Sequence, residues 1–103
     1  MFNPLGWLRA QKAQAHCDIP CGIYDPIAAK IAAQTVQKMV QRIQALEHPA
    51  ANADAANRNA YANTLARYVT VKEEHADVVK KELRILWSDY FKPEHLSAHP
   101  DLH

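Results

Sequence analysis

The sequence predicts an all-α fold, an antiparallel helical bundle preceded by an irregular N-terminal segment. Three observations carry this reading. The chain of 103 residues holds only 2 Gly among many Ala, Gln, Glu, Lys and Leu, a composition of helices rather than sheets. Apolar residues recur at steps of three and four through two long stretches. Prolines stand where those stretches stop, at Pro49 and Pro93. The length allows one small domain.

The elements follow in order. Residues 1–15 read as a detachable leader. Pro4-Leu5-Gly6-Trp7-Leu8 is a short apolar patch followed by Arg9 and Lys12. A secretory signal places its charge first and then roughly 7–15 apolar residues, so export is not expected and a cytoplasmic location is. Ala13-Gln14-Ala15 has the small residues of a processing site, and a cut after Ala15 makes His16 the new N-terminus. Residues 16–24 resist regular structure, because Pro20 lacks an N–H and Gly22 permits positive φ.

Asp25-Pro26 reads as an N-cap followed by proline at the first helical position. Ile27, Ile31, Val36, Met39, Val40, Ile43 and Leu46 then mark one face of a helix over about 26–47, which Pro49 ends. Residues 49–57 read as a loop, with Asn52, Asp54 and Asn57 as candidate caps. A second stripe runs from Tyr61 through Leu65, Tyr68, Val79, Leu83 and Leu86 to Tyr90. It predicts a helix over about 54–91, stopped by Lys92-Pro93. In the tail, 92–103, His95, His99 and His103 stand at steps of four, but Pro100 argues against a continuous helix. Two helices cannot cover each other's apolar faces fully, so further helical partners are expected.

Composition excludes several function classes. The formal net charge is +1 and the basic residues are scattered, which argues against a nucleic-acid surface. No run of about 18 apolar residues is present, so no transmembrane helix is expected. Lys72-Glu73-Glu74 and Lys80-Lys81-Glu82 read as a solvated face, with His75 among them. His48 reads as an exposed histidine at a helix end.

The chemistry concentrates in His16-Cys17-Asp18-Ile19-Pro20-Cys21-Gly22-Ile23-Tyr24. It contains both cysteines of the chain, with a histidine directly before the first. Two thiolates, an imidazole and a freed α-amine can chelate one soft or borderline transition metal. The competing reading is a Cys17–Cys21 disulfide, which would leave no thiolate for a metal.

Here a specific resemblance enters. The run from His16 to Pro26 resembles the nickel hook of the nickel-dependent superoxide dismutases. Leu86-Trp87-Ser88-Asp89-Tyr90-Phe91-Lys92-Pro93 resembles a second block of that family, and Val71-Lys72-Glu73-Glu74 a weaker one. The likeness runs from His16 to His103, and it treats residues 16–103 as one domain behind the leader. It implies a four-helix up-down bundle assembled as a homohexamer, with the remaining helical partners expected either beyond His103 in a longer chain or from other copies. It implies nickel as cofactor, superoxide as substrate and a dedicated protease that removes the leader. The implied ligands are the amine and ring of His16, the amide nitrogen and sulfur of Cys17, and the sulfur of Cys21. Four planar N and S donors suit d⁸ Ni(II), and anionic donors favour its oxidation. The resemblance also implies a cis bond before Pro20, which would tighten the turn.

Further roles follow from the same likeness. Tyr24 is expected to restrict access to the metal face, and Asp18 and Tyr90 to shape the pocket. On spacing alone both tyrosines read as amphipathic core-edge residues. Arg67 is a candidate to steady the His16 ring, its plainer reading being a solvated helix charge. Some members hold that ring with a glutamate at the position where this chain has Ala32, so that support is absent or replaced here. A nickel or copper carrier using the same hook without turnover is the alternative function. A metal patch of His95, His99 and His103 is the lesser reading of those histidines, which otherwise form a solvated or interfacial tail.

Overall fold

The computed structural model of the protein describes residues 21–102. Helix α1 spans Ile27–Ala45 and α2 spans Ala55–Ile85; a π-helical turn, Leu86–Tyr90, continues from α2. A short helix α3, Pro93–Ala98, and a 3₁₀ turn, Pro100–Leu102, follow. No strand occurs among the described residues, so the fold is all-α as the composition requires. The chain divides into two compact units: Ile27–Lys81, and a second made of the N-terminal segment to Pro26 with Glu82 onward.

In the first unit α1 and α2 lie antiparallel. The register is set by cross-helix neighbours. The Arg42 guanidinium stands 6.0 Å from the Tyr68 ring centre, Met39 shares a groove with Thr64 and Val71, and Ala33 and Val36 share another with Ala76 and Val79. Ala29 and Ala32 are the buried residues of α1, at 7% and 2% exposure. Small residues at these positions leave the helix backbone room for close approach. Little else is buried, because one face of each helix is all that a two-helix hairpin can cover. Ile27, Ile31, Val40, Val69 and Val78 stay exposed.

The turn between the helices is tied by local bonds. The α1 end tightens through Leu46 N–H to the Ile43 carbonyl at 3.2 Å, and Arg58 Nη2 donates to the Ala51 carbonyl at 2.8 Å. Tyr61 Oη lies 3.0 Å from His48 Nδ1, with the rings 5.2 Å apart. Of the three candidate caps, Asp54 takes the part: its Oδ1 accepts the Asn57 N–H at 2.8 Å and its carbonyl accepts Arg58 N–H at 3.2 Å. Asp54→Ala leaves that donor uncapped and is expected to cost ~1 kcal/mol of stability. Urea unfolding followed by circular dichroism measures it; an unchanged midpoint would deny Asp54 the capping role.

Tyr61, Tyr68 and His75 recur every seven residues and are all partly buried. His75 therefore does not sit on the solvated face that its charged neighbours suggest. Its Nδ1 is 2.8 Å from the Val71 carbonyl, which can only accept, so Nδ1 carries the proton and donates. Lys72, also half-buried, reaches out to Glu73 at 2.7 Å. The hydrogen bond from Lys72, and next its charge, hold the Glu73 carboxyl below its ordinary range.

Candidate metal centre

The site is built in the second unit from two segments distant in sequence. The first is the end of the hook. Of the residues expected there, His16, Cys17, Asp18 and Pro20 lie outside the described residues, as does the bond between Ile19 and Pro20. Cys21 is exposed. Its Sγ accepts the Ile23 N–H at 3.5 Å. Gly22 between them has φ +71°, the left-handed region, and a Cβ there would meet nothing within 4 Å. The glycine is thus required by backbone angle rather than by space. The turn folds the Ile23 N–H back onto the sulfur.

The second segment is the π turn. The Phe91 N–H donates to the Leu86 carbonyl at 3.1 Å, a bond spanning five residues instead of four. One extra residue per turn re-aims the side chains that follow, and π turns recur at functional sites. The helix then ends, because Phe91 is extended (φ −72°, ψ 131°). Lys92 is extended too (φ −120°, ψ 167°), as a residue before proline must usually be. Pro93 opens α3 at a position that needs no N–H.

These segments meet through Tyr24 and Tyr90, whose ring centres are 5.7 Å apart and tilted by 50°. Tyr90 also lies edge-on to Phe91 at 5.2 Å, and Trp87 stands 6.3 Å from Phe91. Tyr90 keeps 44% exposure, so the cluster is partly wet. Ile85, at 6% exposure, is the buried residue beneath the turn. Asp89 Oδ2 is buried and has no hydrogen-bond partner among the described residues. A desolvated carboxylate oxygen without a donor is costly, so this atom is open to an N–H, an O–H or a water.

The structure thus brings Cys21, Tyr24 and Tyr90 into one neighbourhood. Arg67 belongs to the other unit, where it is exposed and lines the groove with Met39, Thr64 and Tyr68. Its expected partner, His16, lies outside the described residues. No group of three or more His, Cys, Asp or Glu able to hold a metal occurs among the described residues. The donor set fits nickel on its chemistry: the one described candidate ligand, Cys21, offers a soft, accessible sulfur beside an N–H donor. Sequence reasoning missed Asp89 and His95 as parts of this neighbourhood. The signal for His95 was its place three residues beyond Lys92, where a side chain can reach back to a helix-capping N–H.

Comparison with known proteins agrees with this picture. The family model described as nickel-containing superoxide dismutase matches residues 11–103. A superoxide dismutase of the nickel type from Streptomyces seoulensis is 40% identical over 92 residues, covering 89% of this chain and 60% of that protein. One from Streptomyces coelicolor is 38% identical over 89 residues, covering 86% of this chain and 58% of its own length. The chain therefore spans about 60% of the length of these curated relatives. No solved structure matches it.

Proposed function

The chain belongs to the nickel-containing superoxide dismutase family, and from that premise we propose that it dismutes superoxide at a nickel ion held by its N-terminal hook. Two superoxide ions and two protons become dioxygen and hydrogen peroxide. The holders are the amine and ring of His16, the amide nitrogen and sulfur of Cys17, and the sulfur of Cys21. When bound, nickel supplies the one-electron cycle between Ni(II) and Ni(III). The observation that carries the reading is the Tyr24–Tyr90 contact, which joins the end of the hook to the distant Leu86–Pro93 block.

The chain's own residues supply the rest. The Ile23 N–H, donating to Cys21 Sγ, helps to hold that sulfur in place. Tyr24 and Tyr90 narrow the approach with their rings and carry two phenol O–H groups able to donate to a small anion. Those hydroxyls orient superoxide and hold a proton near the oxygen that becomes peroxide. Asp18 lies beside the first hook cysteine and shapes the same pocket. Asp89 Oδ2 offers an acceptor that fixes a neighbouring donor or water. On the same reading a dedicated protease removes residues 1–15, and the mature protein works in the cytoplasm as a homohexamer.

The test uses protein starting at His16, loaded with nickel and freed of excess metal. Expected are bound nickel, a thiolate-to-nickel absorption band and superoxide consumption by pulse radiolysis. Retained nickel without turnover would select a carrier instead. A mass lower by two hydrogens with no nickel would select a disulfide module.

A further inference from the structure

We infer that His95 is a positioning residue for the tyrosine pair, locking Tyr90 and through it Tyr24. The assignment deepens the dismutase reading and rests on it for its catalytic consequence. Three contacts carry it. His95 Nδ1 accepts the Lys92 N–H at 2.8 Å. The backbone closes the same turn in the other direction, His95 N–H donating to the Lys92 carbonyl at 2.9 Å. The histidine thereby does what a glutamate or glutamine does three residues after a cap, with a flat ring in place of a flexible chain. Because Nδ1 accepts, the proton of the neutral ring sits on Nε2.

The ring so fixed lies flat on Tyr90, centres 5.3 Å apart and planes 17° from parallel. Phe91 meets its edge at 5.9 Å and 85°. His95 is half-buried. Tyr90 is therefore held between His95 on one side and Tyr24 on another, with Phe91 against both Tyr90 and His95. An exposed tyrosine at a helix end would otherwise sample several rotamers. Two restraints on the His95 ring make it a fixed wall, and the wall sets where the Tyr90 hydroxyl points. Positioning of this kind is worth rate because small displacements of a donor weaken its hydrogen bond to the reacting group.

The two restraints can be separated. His95→Phe keeps the flat ring and loses the acceptor; His95→Asn keeps an acceptor near the Lys92 N–H and loses the ring; His95→Ala loses both. The full chain without nickel is read by NMR through the Tyr24–Tyr90 ring cross-peaks and the ring shifts of Tyr90. His95→Ala and His95→Asn are expected to erase the cross-peaks, and His95→Phe, which keeps the ring but not the bond to Lys92, to restore them in part. In nickel-loaded protein starting at His16, His95→Ala should lower the rate of superoxide consumption by roughly tenfold at equal nickel content, with His95→Phe recovering part of it. Cross-peaks unchanged in His95→Ala, or restored by Asn but not Phe, would overturn the assignment. If His95→Ala fails to fold, the Phe and Asn variants decide alone. A parent protein that consumes no superoxide would sink the dismutase reading, while the cross-peaks still judge the positioning role.

Discussion

Protein that keeps residues 1–15 is expected to hold nickel weakly and to consume no superoxide, whereas protein beginning at His16 holds nickel firmly and consumes superoxide. The difference lies in one nitrogen. While Ala15 is attached, the nitrogen of His16 is an amide whose lone pair is delocalised into the carbonyl. Freed, it is an amine, with a lone pair available to a metal. It then stands next to the amide of Cys17, so the two nitrogens and the Cys17 sulfur follow one another along the backbone. The uncut chain lacks the first of these and would offer a poorer donor set. Nickel retained after gel filtration, with superoxide decay by pulse radiolysis, measures both quantities on the two proteins. Equal values would remove the leader from the mechanism.

Replacing Cys21 with serine is expected to have a comparable effect by a different route. A serine hydroxyl stays protonated where a thiol ionises, and its oxygen is a hard donor. Loss of a mere partner of a metal ligand typically costs about 10–100-fold in affinity or activity. Loss of the ligand itself should exceed about 100-fold, with the thiolate-to-nickel absorption band diminished. The fold should survive. Cys21 is exposed and lies outside every helix, so circular dichroism should match the parent. Full nickel content and full turnover in Cys21→Ser would show that the sulfur takes no part.

Much of the fold was legible because helices announce themselves locally. The stripe from Ile27 to Leu46 predicts a helix over about 26–47, and α1 runs Ile27–Ala45. Asp54 was among three candidate caps, and its carboxylate takes the bond. The stretch predicted as one helix to about residue 91 keeps α-helical bonding only to Ile85, then widens into the π turn. Apolar spacing does not distinguish a four-residue from a five-residue bond, since Leu86 and Tyr90 fit the stripe in either case. The tail holds a short helix at Pro93–Ala98, between the Lys92 cap and Pro100. His75 misled because its neighbours in sequence are charged, while burial follows neighbours one and two turns away.

For the candidate site the division is similar. Ligand types, their order and the glycine after Cys21 are properties of consecutive residues, so the sequence alone determined that one short segment carries soft donors and a turn. The helical class was determined in the same way, by composition and periodicity. Only the tertiary structure decided that Tyr24 meets Tyr90, that Asp89 is left with a bare buried oxygen, and that His95 lies flat on Tyr90. The reason is physical. Ring contacts and desolvation depend on which segments pack together and at what angle.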